Sequence, residues 1–132
     1  MSDWYDASPT VTRMLSGTPP IGGIVAVQEG VRLIAEAGID AIRTKSIALT
    51  DYLIERLDDA GFELASPRDP ALRGSHVSVR HDDARAITAA LIERGVIPDY
   101  REPDLIRLGL SPLTTSFSEV DAAVTVLVDV TA

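Results

Sequence analysis

The sequence predicts an α+β domain, in which a small, largely antiparallel sheet of three or four strands carries helices on one face. Three observations predict this fold class. Apolar residues recur at helical spacing in four segments, and shorter segments between them alternate apolar and polar residues. The element order is helix, helix, strand, strand, helix, strand, strand, helix. Finally, 132 residues allow one hydrophobic core but not two independent ones.

The N-terminal part of the chain divides into an irregular segment and two helices. Residues 1–20 are expected to be irregular because prolines and Gly17 interrupt regular structure, and residues 21–132 are expected to form a single domain. A first helix is predicted over residues 21–37 and a longer one from residue 39 to about residue 60. Gly38 and Gly61 mark the ends of these helices.

After the second predicted helix, the spacing of apolar residues changes from helical to alternating, which predicts strands. Strands are predicted over residues 62–66, 75–81, 96–100 and 105–110. Pro98 makes the third of these an edge strand, because proline cannot donate to a ladder hydrogen bond. A helix is predicted over residues 83–94, and a last helix is predicted to begin at Ser116 or Ser118 with Glu119 in its first turn.

Charge and composition exclude several function classes. The net charge is −8, which argues against nucleic acids and anionic membrane surfaces as partners, since both require clustered basic residues. The chain has no cysteine and therefore no disulfide or thiolate metal site. The N-terminal residues lack the features of a secretion signal, and no apolar run is long enough to cross a membrane. A cytoplasmic location is expected.

The strand over residues 105–110 places a permanent cation on a sheet. Side chains alternate along a strand, so one face receives apolar residues and the other receives Leu105, Arg107 and Gly109. A guanidinium can hold a carboxylate through two parallel hydrogen bonds, and Gly109 would leave open space beside it. The alternative is an arginine on the solvated side of a half-buried sheet.

Few other residues suggest chemistry. Gly22 and Gly23 at a helix start could bind a phosphate, with Thr18 adding a hydroxyl, although the pattern is weak and a simple turn is the favoured explanation. His76 and His81 are five residues apart on a strand and thus on opposite faces, so a shared metal ion is not expected. Lys45 is the sole lysine in the sequence and lies within the second predicted helix. Composition and spacing therefore give a soluble domain with two possible anion sites and no complete catalytic machinery.

Several segments, in order, resemble the C-terminal part of the kynureninase family. The matching segments are "GTPPI" from Gly17, "RTKSIALTDYLIE" from Arg43, "LASPRDPALRGSHVSVRH" from Leu64, "LIERGVIPDYREPDLIRLGLSPL" from Leu91 and "SFSEV" from Ser116. This family belongs to the class V aminotransferase-like enzymes of fold type I, which use pyridoxal phosphate. The resemblance implies the C-terminal small domain of such an enzyme. It also implies hydrolysis of L-kynurenine or its 3-hydroxy form in tryptophan catabolism, giving anthranilate and L-alanine from L-kynurenine.

The resemblance also implies roles for individual residues. Arg107 matches the arginine that holds the substrate α-carboxylate, and Thr18 with Gly17 matches the segment that contacts the cofactor phosphate across a dimer interface. The family's Schiff-base lysine follows a tyrosine in the large domain, whereas Lys45 follows Thr44. Thr114 also departs from the family, which often has an aromatic residue there. No catalytic residue and no metal ligand is therefore assigned.

The implied partners are a kynurenine-like amino acid, the missing large domain and a second copy of the chain. The 132 residues alone, as a fragment or a truncated gene product, are expected to be inactive and not to retain pyridoxal phosphate. Two alternatives stay open: a stand-alone module that binds an amino acid or carboxylate, and an interaction module that completes a separately encoded large domain.

Overall fold

A computed structural model of the chain describes residues 6–132. The chain divides into two compact units, one ending at Glu36 and one comprising residues 37–132. The first unit contains a short 3-10 helix, Val11–Met14, and helix α1, Ile21–Ala37. No residue of α1 is buried. The helix bounds agree with the sequence prediction, and the expected single domain of residues 21–132 stays a prediction.

The second unit contains the remaining helices and all strands of the described residues. The helices are α2 (Ile39–Asp59), α3 (Ala84–Glu93) and α4 (Phe117–Thr131), with a 3-10 turn at Pro70–Leu72. The strands are β1 (Glu63–Leu64), β2 (His76–Arg80), β3 (Asp99–Arg101) and β4 (Leu105–Gly109). None of the helices described is both long and apolar enough to cross a membrane.

The four strands form one antiparallel sheet in the order β1-β2-β4-β3. The predicted α+β class is therefore confirmed. β3 does lie at an edge, as Pro98 predicts, but it covers Asp99–Arg101 rather than residues 96–100. The difference has a local cause: the N–H of Val96 donates to the carbonyl of Leu91 at 2.9 Å and so belongs to the end of α3.

Two glycines end helices in the same way. Gly61 has φ 79° and Gly95 has φ 84°, a left-handed conformation that costs glycine little. After each glycine, the next N–H reaches back to a helix carbonyl, from Phe62 to Leu57 at 3.0 Å and from Val96 to Leu91. These are the hydrogen bonds of a Schellman-type helix end, and they turn the chain sharply from helix towards strand.

The start of α4 settles the choice between the two predicted serines. Ser116 is the N-cap: its side chain accepts from the N–H of Glu119, and the Glu119 carboxylate accepts from the N–H of Ser116. This reciprocal pair satisfies two N–H groups that the helix itself leaves unpaired.

The core lies between the sheet and the helices of the second unit. One face of the strands contributes Val77, Val79, Ile106 and Leu108, all buried. The helices contribute a matching apolar set: Leu49, Leu53, Leu57, Ile87, Leu91, Val120, Val124 and Leu127. The residues between these strand positions, which include Ser78, Asp99 and Arg107, lie on the other face of the sheet, referred to below as the outer face. The core therefore fixes which side chains the outer face presents.

Candidate functional site

Arg107 lies at the centre of β4 on the outer face of the sheet. Its chain neighbours Ile106 and Leu108 are buried in the core, so alternation directs Arg107 to the opposite side. In the sheet register, Arg107 pairs with Ser78 of β2 on one side and with Asp99 of β3 on the other. The predicted strand and the predicted face are both confirmed.

The Arg107 guanidinium has an acidic partner that sequence reasoning did not identify. Its Nη2 donates to Oδ2 of Asp99, and the same oxygen lies 2.7 Å from Nη2 of Arg101. The Arg107 side chain is nevertheless 35% exposed. Among the hydrogen bonds of residues 6–132, Nη1 and Nε of Arg107 take no part. The ion pair therefore does not enclose the guanidinium, and donors stay available to a carboxylate.

Open space lies beside the guanidinium at Gly109. A Cβ atom built at Gly109 would meet no other atom within 4 Å, and the residue is exposed. His76 of β2 pairs with Gly109 in the register, which places an exposed imidazole diagonally across from Arg107. The side of Arg107 next to Gly109 is therefore not closed by a side chain at position 109.

The predicted phosphate-contacting residues belong to the first unit. Thr18 and Gly17 are exposed and precede the start of α1. The first helical hydrogen bond at this end runs from the N–H of Ile24 to the carbonyl of Pro20, at 3.0 Å. The N–H groups of residues 21–23 therefore have no acceptor within the helix, as at any helix start, and they could donate to an anion together with the Thr18 hydroxyl.

Lys45 lies on α2 and is half-buried beside Ser46, which is buried. The positive charge of Lys45 acts on the carboxylate of Glu119 at the start of α4. Hydrogen bonds from Ser116 lower the pKa of Glu119 most, and Lys45 lowers it further. Among residues 6–132, no group of three or more His, Cys, Asp or Glu side chains could hold a metal ion.

Arg73 is a buried cation that the sequence did not single out. Its side chain is 2% exposed and forms an ion pair with Asp51 of α2. Its Nε donates to Oγ1 of Thr50 at 3.2 Å, and its Nη1 donates to the carbonyls of Pro67 and Arg68. Arg73 thus attaches the loop before β2 to α2. Nothing in the residue spacing distinguishes it from an exposed loop arginine.

An apolar cavity of about 370 Å³ opens between the end of α3, the end of β4 and α4. Most of its lining is apolar, and the charged residues Arg94 and Glu119 lie on it. Arg107 does not line it, so the candidate carboxylate site and this cavity are distinct.

Comparison with protein families gives a match to the kynureninase C-terminal domain over residues 42–127. Among curated proteins, a kynureninase from Pseudomonas fluorescens is 44% identical over 131 residues, covering 96% of this chain and 32% of that protein. A kynureninase from Burkholderia mallei (strain SAVP1) is 40% identical over 134 residues, covering 98% and 32%. The chain thus spans about a third of the length of these relatives.

Solved structures share the fold. A cysteine desulfurase from Thermococcus onnurineus NA1 superposes with a TM-score of 0.82 at 20% identity, covering 96% of this chain and 35% of that one. An alanine–glyoxylate aminotransferase from Nostoc sp. superposes with a TM-score of 0.71 at 25% identity, covering 93% and 34%. The predicted resemblance is confirmed, and the chain belongs to the kynureninase C-terminal domain family.

Proposed function

We propose that the chain is the substrate-carboxylate-binding part of a kynureninase-like hydrolase that uses pyridoxal phosphate. The single observation that carries the proposal is the partly exposed side chain of Arg107 beside the open space at Gly109. The family match and the kynureninase relatives support an amino acid such as L-kynurenine as the ligand.

Arg107 binds the α-carboxylate and orients the amino acid. Two parallel hydrogen bonds from a planar guanidinium fix both the position and the rotation of a carboxylate. Because β4 is held between two strands and its neighbours are in the core, this cation is placed on a rigid element. Such positioning lowers the barrier of a reaction that takes place at another part of the ligand.

The residues of this chain fit only one part of the cofactor. The exposed Thr18, Gly17 and the free N–H groups at the start of α1 suit its phosphate group. When bound, pyridoxal phosphate supplies an electron sink for amino-acid chemistry. The cofactor also needs a lysine amine, and Lys45, the sole lysine here, lies within α2 and follows Thr44. No catalytic step is therefore assigned to residues of this chain.

These 132 residues alone do not turn over L-kynurenine, and a second polypeptide region supplies the lysine. A cytoplasmic location and a dimer, in which Thr18 serves the partner's cofactor, belong to the same proposal. The dimer is supported by α1, whose apolar side chains are exposed. Ile21 and Val27, for instance, are 74% and 66% exposed, and apolar surface of this kind favours association.

A chimeric enzyme tests the proposal. In it, this chain replaces the matching C-terminal third of the Pseudomonas fluorescens kynureninase, and anthranilate fluorescence reports turnover of L-kynurenine with pyridoxal phosphate. The chimera should be active, the chain alone inactive, and Arg107→Ala in the chimera should lose at least tenfold in kcat/KM. Arg85→Ala, which removes an exposed arginine paired with Glu102, is the matched control and should keep activity. Full activity of the Arg107→Ala chimera would reject the proposal.

A second candidate function is a stand-alone or interaction module. It is favoured by one observation: the Arg107 side chain is 35% exposed in the described chain. Calorimetry of the 132-residue chain with L-kynurenine would then detect heat that Arg107→Ala abolishes. An interaction module would instead co-purify with a lysine-bearing large domain expressed from a separate gene and restore its turnover.

A further inference from the structure

The carboxylate of Asp99 lies between two guanidinium groups on the outer face of the sheet. Its Oδ2 atom accepts from Nη2 of Arg107 and lies 2.7 Å from Nη2 of Arg101. Within the described part of the chain, its Oδ1 atom enters no hydrogen bond or ion pair. One carboxylate oxygen thus serves two cations.

The sheet register builds this arrangement. Asp99 pairs directly with Arg107 across the β3–β4 ladder, and Arg101 follows two residues later on the same strand and hence on the same face. Directly paired side chains of an antiparallel sheet are close neighbours. The backbone register therefore makes Asp99 and Arg107 neighbours on the outer face.

Asp99 carries the same chemical group as the ligand that Arg107 suits. Both partners of the ion pair are partly exposed, Arg107 at 35% and Asp99 at 45%, and exposed pairs of this kind are weak. A ligand carboxylate that makes two parallel hydrogen bonds to the guanidinium can replace the single contact from Asp99. Asp99 then keeps Arg101 as its partner, so that no charge is left unpaired.

We propose that Asp99 sets the affinity of the site for carboxylates, as an internal carboxylate that occupies Arg107 and that an incoming carboxylate must displace onto Arg101. This inference rests on the proposed carboxylate-binding function of Arg107. The competition lowers the affinity of the site for small carboxylates that have no other contact. The same cost applies to every carboxylate, so only a ligand with further anchoring groups still occupies the site at low concentration.

Substitutions of Asp99 and Arg101 are expected to change the affinity for a carboxylate in opposite directions. Asp99→Asn removes the competitor and one negative charge, so a carboxylate should bind more tightly. Arg101→Gln removes the alternative partner of Asp99 and one positive charge, so a carboxylate should bind more weakly. Because exposed ion pairs are weak, each substitution should change the Kd by about two- to fivefold.

A titration of the 132-residue chain with sodium acetate at constant ionic strength tests the competition. Binding is followed by the NMR signal of the Arg107 Nε–H group, which is assigned by its loss in Arg107→Gln, and circular dichroism checks that each variant is folded. Asp99→Asn and Asp99→Ser should lower the Kd for acetate, and Arg101→Gln should raise it. Asp104→Asn is the matched control, because Asp104 pairs with Arg80 instead, and it should leave the Kd unchanged.

Three outcomes would overturn the inference: an unchanged or raised Kd in both Asp99 variants, a lowered Kd in Arg101→Gln, or no acetate response at Arg107 in any variant. Turnover by the chimeric kynureninase separates this inference from the proposed function. If Arg107→Ala keeps full activity in the chimeric kynureninase while the acetate results hold, the substrate proposal fails and the role of Asp99 stands, whatever the Kd of the isolated chain for L-kynurenine.

Discussion

Arg73 and Asp51 form an ion pair in which only the cation is buried. The side chain of Arg73 is 2% exposed, whereas that of Asp51 is 55% exposed. The Arg73 guanidinium also donates to Thr50 and to two loop carbonyls. A buried guanidinium satisfied in this way joins the loop before β2 to α2, and β2 carries Ser78, the neighbour of Arg107.

Replacement of Arg73 should therefore destabilise the domain. We expect Arg73→Met to lower the free energy of unfolding by about 2–3 kcal/mol, because hydrogen bonds to a charged group are lost and loop carbonyls lose their donor. Arg73→Lys should restore little, since one ammonium cannot reproduce the guanidinium geometry. Urea denaturation followed by circular dichroism measures both. Arg68→Met, which removes an exposed partner of Asp58, is the control and should have a clearly smaller effect; equal effects would contradict the role of Arg73.

The cap of α4 should make stability depend on acidic pH. The side chain and N–H of Ser116 donate to the Glu119 carboxylate, each at 2.7 Å, and lower the pKa of Glu119 from its ordinary value of 4.5. A lowered pKa in the folded state means that this stabilisation is complete above pH 4.5 and is lost as the pH falls through the lower, folded-state value. Acid should therefore weaken the fold.

Glu119→Gln isolates this contribution, because glutamine can still accept the cap hydrogen bond but does not titrate. Urea denaturation at neutral pH and at several pH values below 4.5 should show the variant and the original chain approaching each other in stability as the pH falls. Glu55→Gln, at an exposed position of α2, is the matched control. Its difference in stability from the original chain should not change as the pH falls. A Glu119→Gln chain that loses stability with acid as steeply as the original would count against the prediction.

Tyr52 should make the stability of the domain depend on alkaline pH as well, with a loss of stability as the pH rises. Its hydroxyl donates to Asp121, with 2.8 Å to each carboxylate oxygen, and this hydrogen bond raises the pKa of Tyr52 above its ordinary value of 10.0. The stabilisation is complete below pH 10.0 and is lost as the pH rises through the higher, folded-state value. An ultraviolet titration that follows tyrosinate formation should show a late step, above pH 10.0, for the ionisation of Tyr52. This late step should be missing in Tyr52→Phe and present in Tyr100→Phe. Loss of the late step in Tyr100→Phe instead would refute the assignment.

The helices were predictable because their ends are encoded locally. Proline at position 20, glycines at the helix ends and the serine–glutamate pair of the α4 cap act within a few residues, and α1, α2 and α4 begin or end where these signals lie. The same holds for the face of β4, because alternation is a property of the strand itself. The bounds of these helices and the face of β4 therefore follow from local signals.

The partners of the two important arginines were not predictable from spacing. Asp51 precedes Arg73 by 22 positions, and only the fold of the loop onto α2 brings them together. Asp99 meets Arg107 through the register of β3 against β4, and the strand predicted over residues 96–100 begins three residues before β3 does. A shift of one residue moves a side chain to the other face of a sheet, so the contact depends on a feature that strand propensity does not specify.

Gly109 allows stability and ligand binding to be separated. A Cβ at this position would meet no atom within 4 Å, so Gly109→Ala introduces no clash, and alanine in a strand is favoured over glycine by about 0.5–1 kcal/mol. We therefore expect an unchanged or slightly raised free energy of unfolding for Gly109→Ala and Gly109→Val. In the chimeric kynureninase, however, a side chain here narrows the approach to Arg107, so KM for L-kynurenine should rise, more for valine than for alanine. If Gly109→Val retained the original KM, the space beside Arg107 would not be the route of the carboxylate, whereas a loss of stability would show that the strand itself requires glycine.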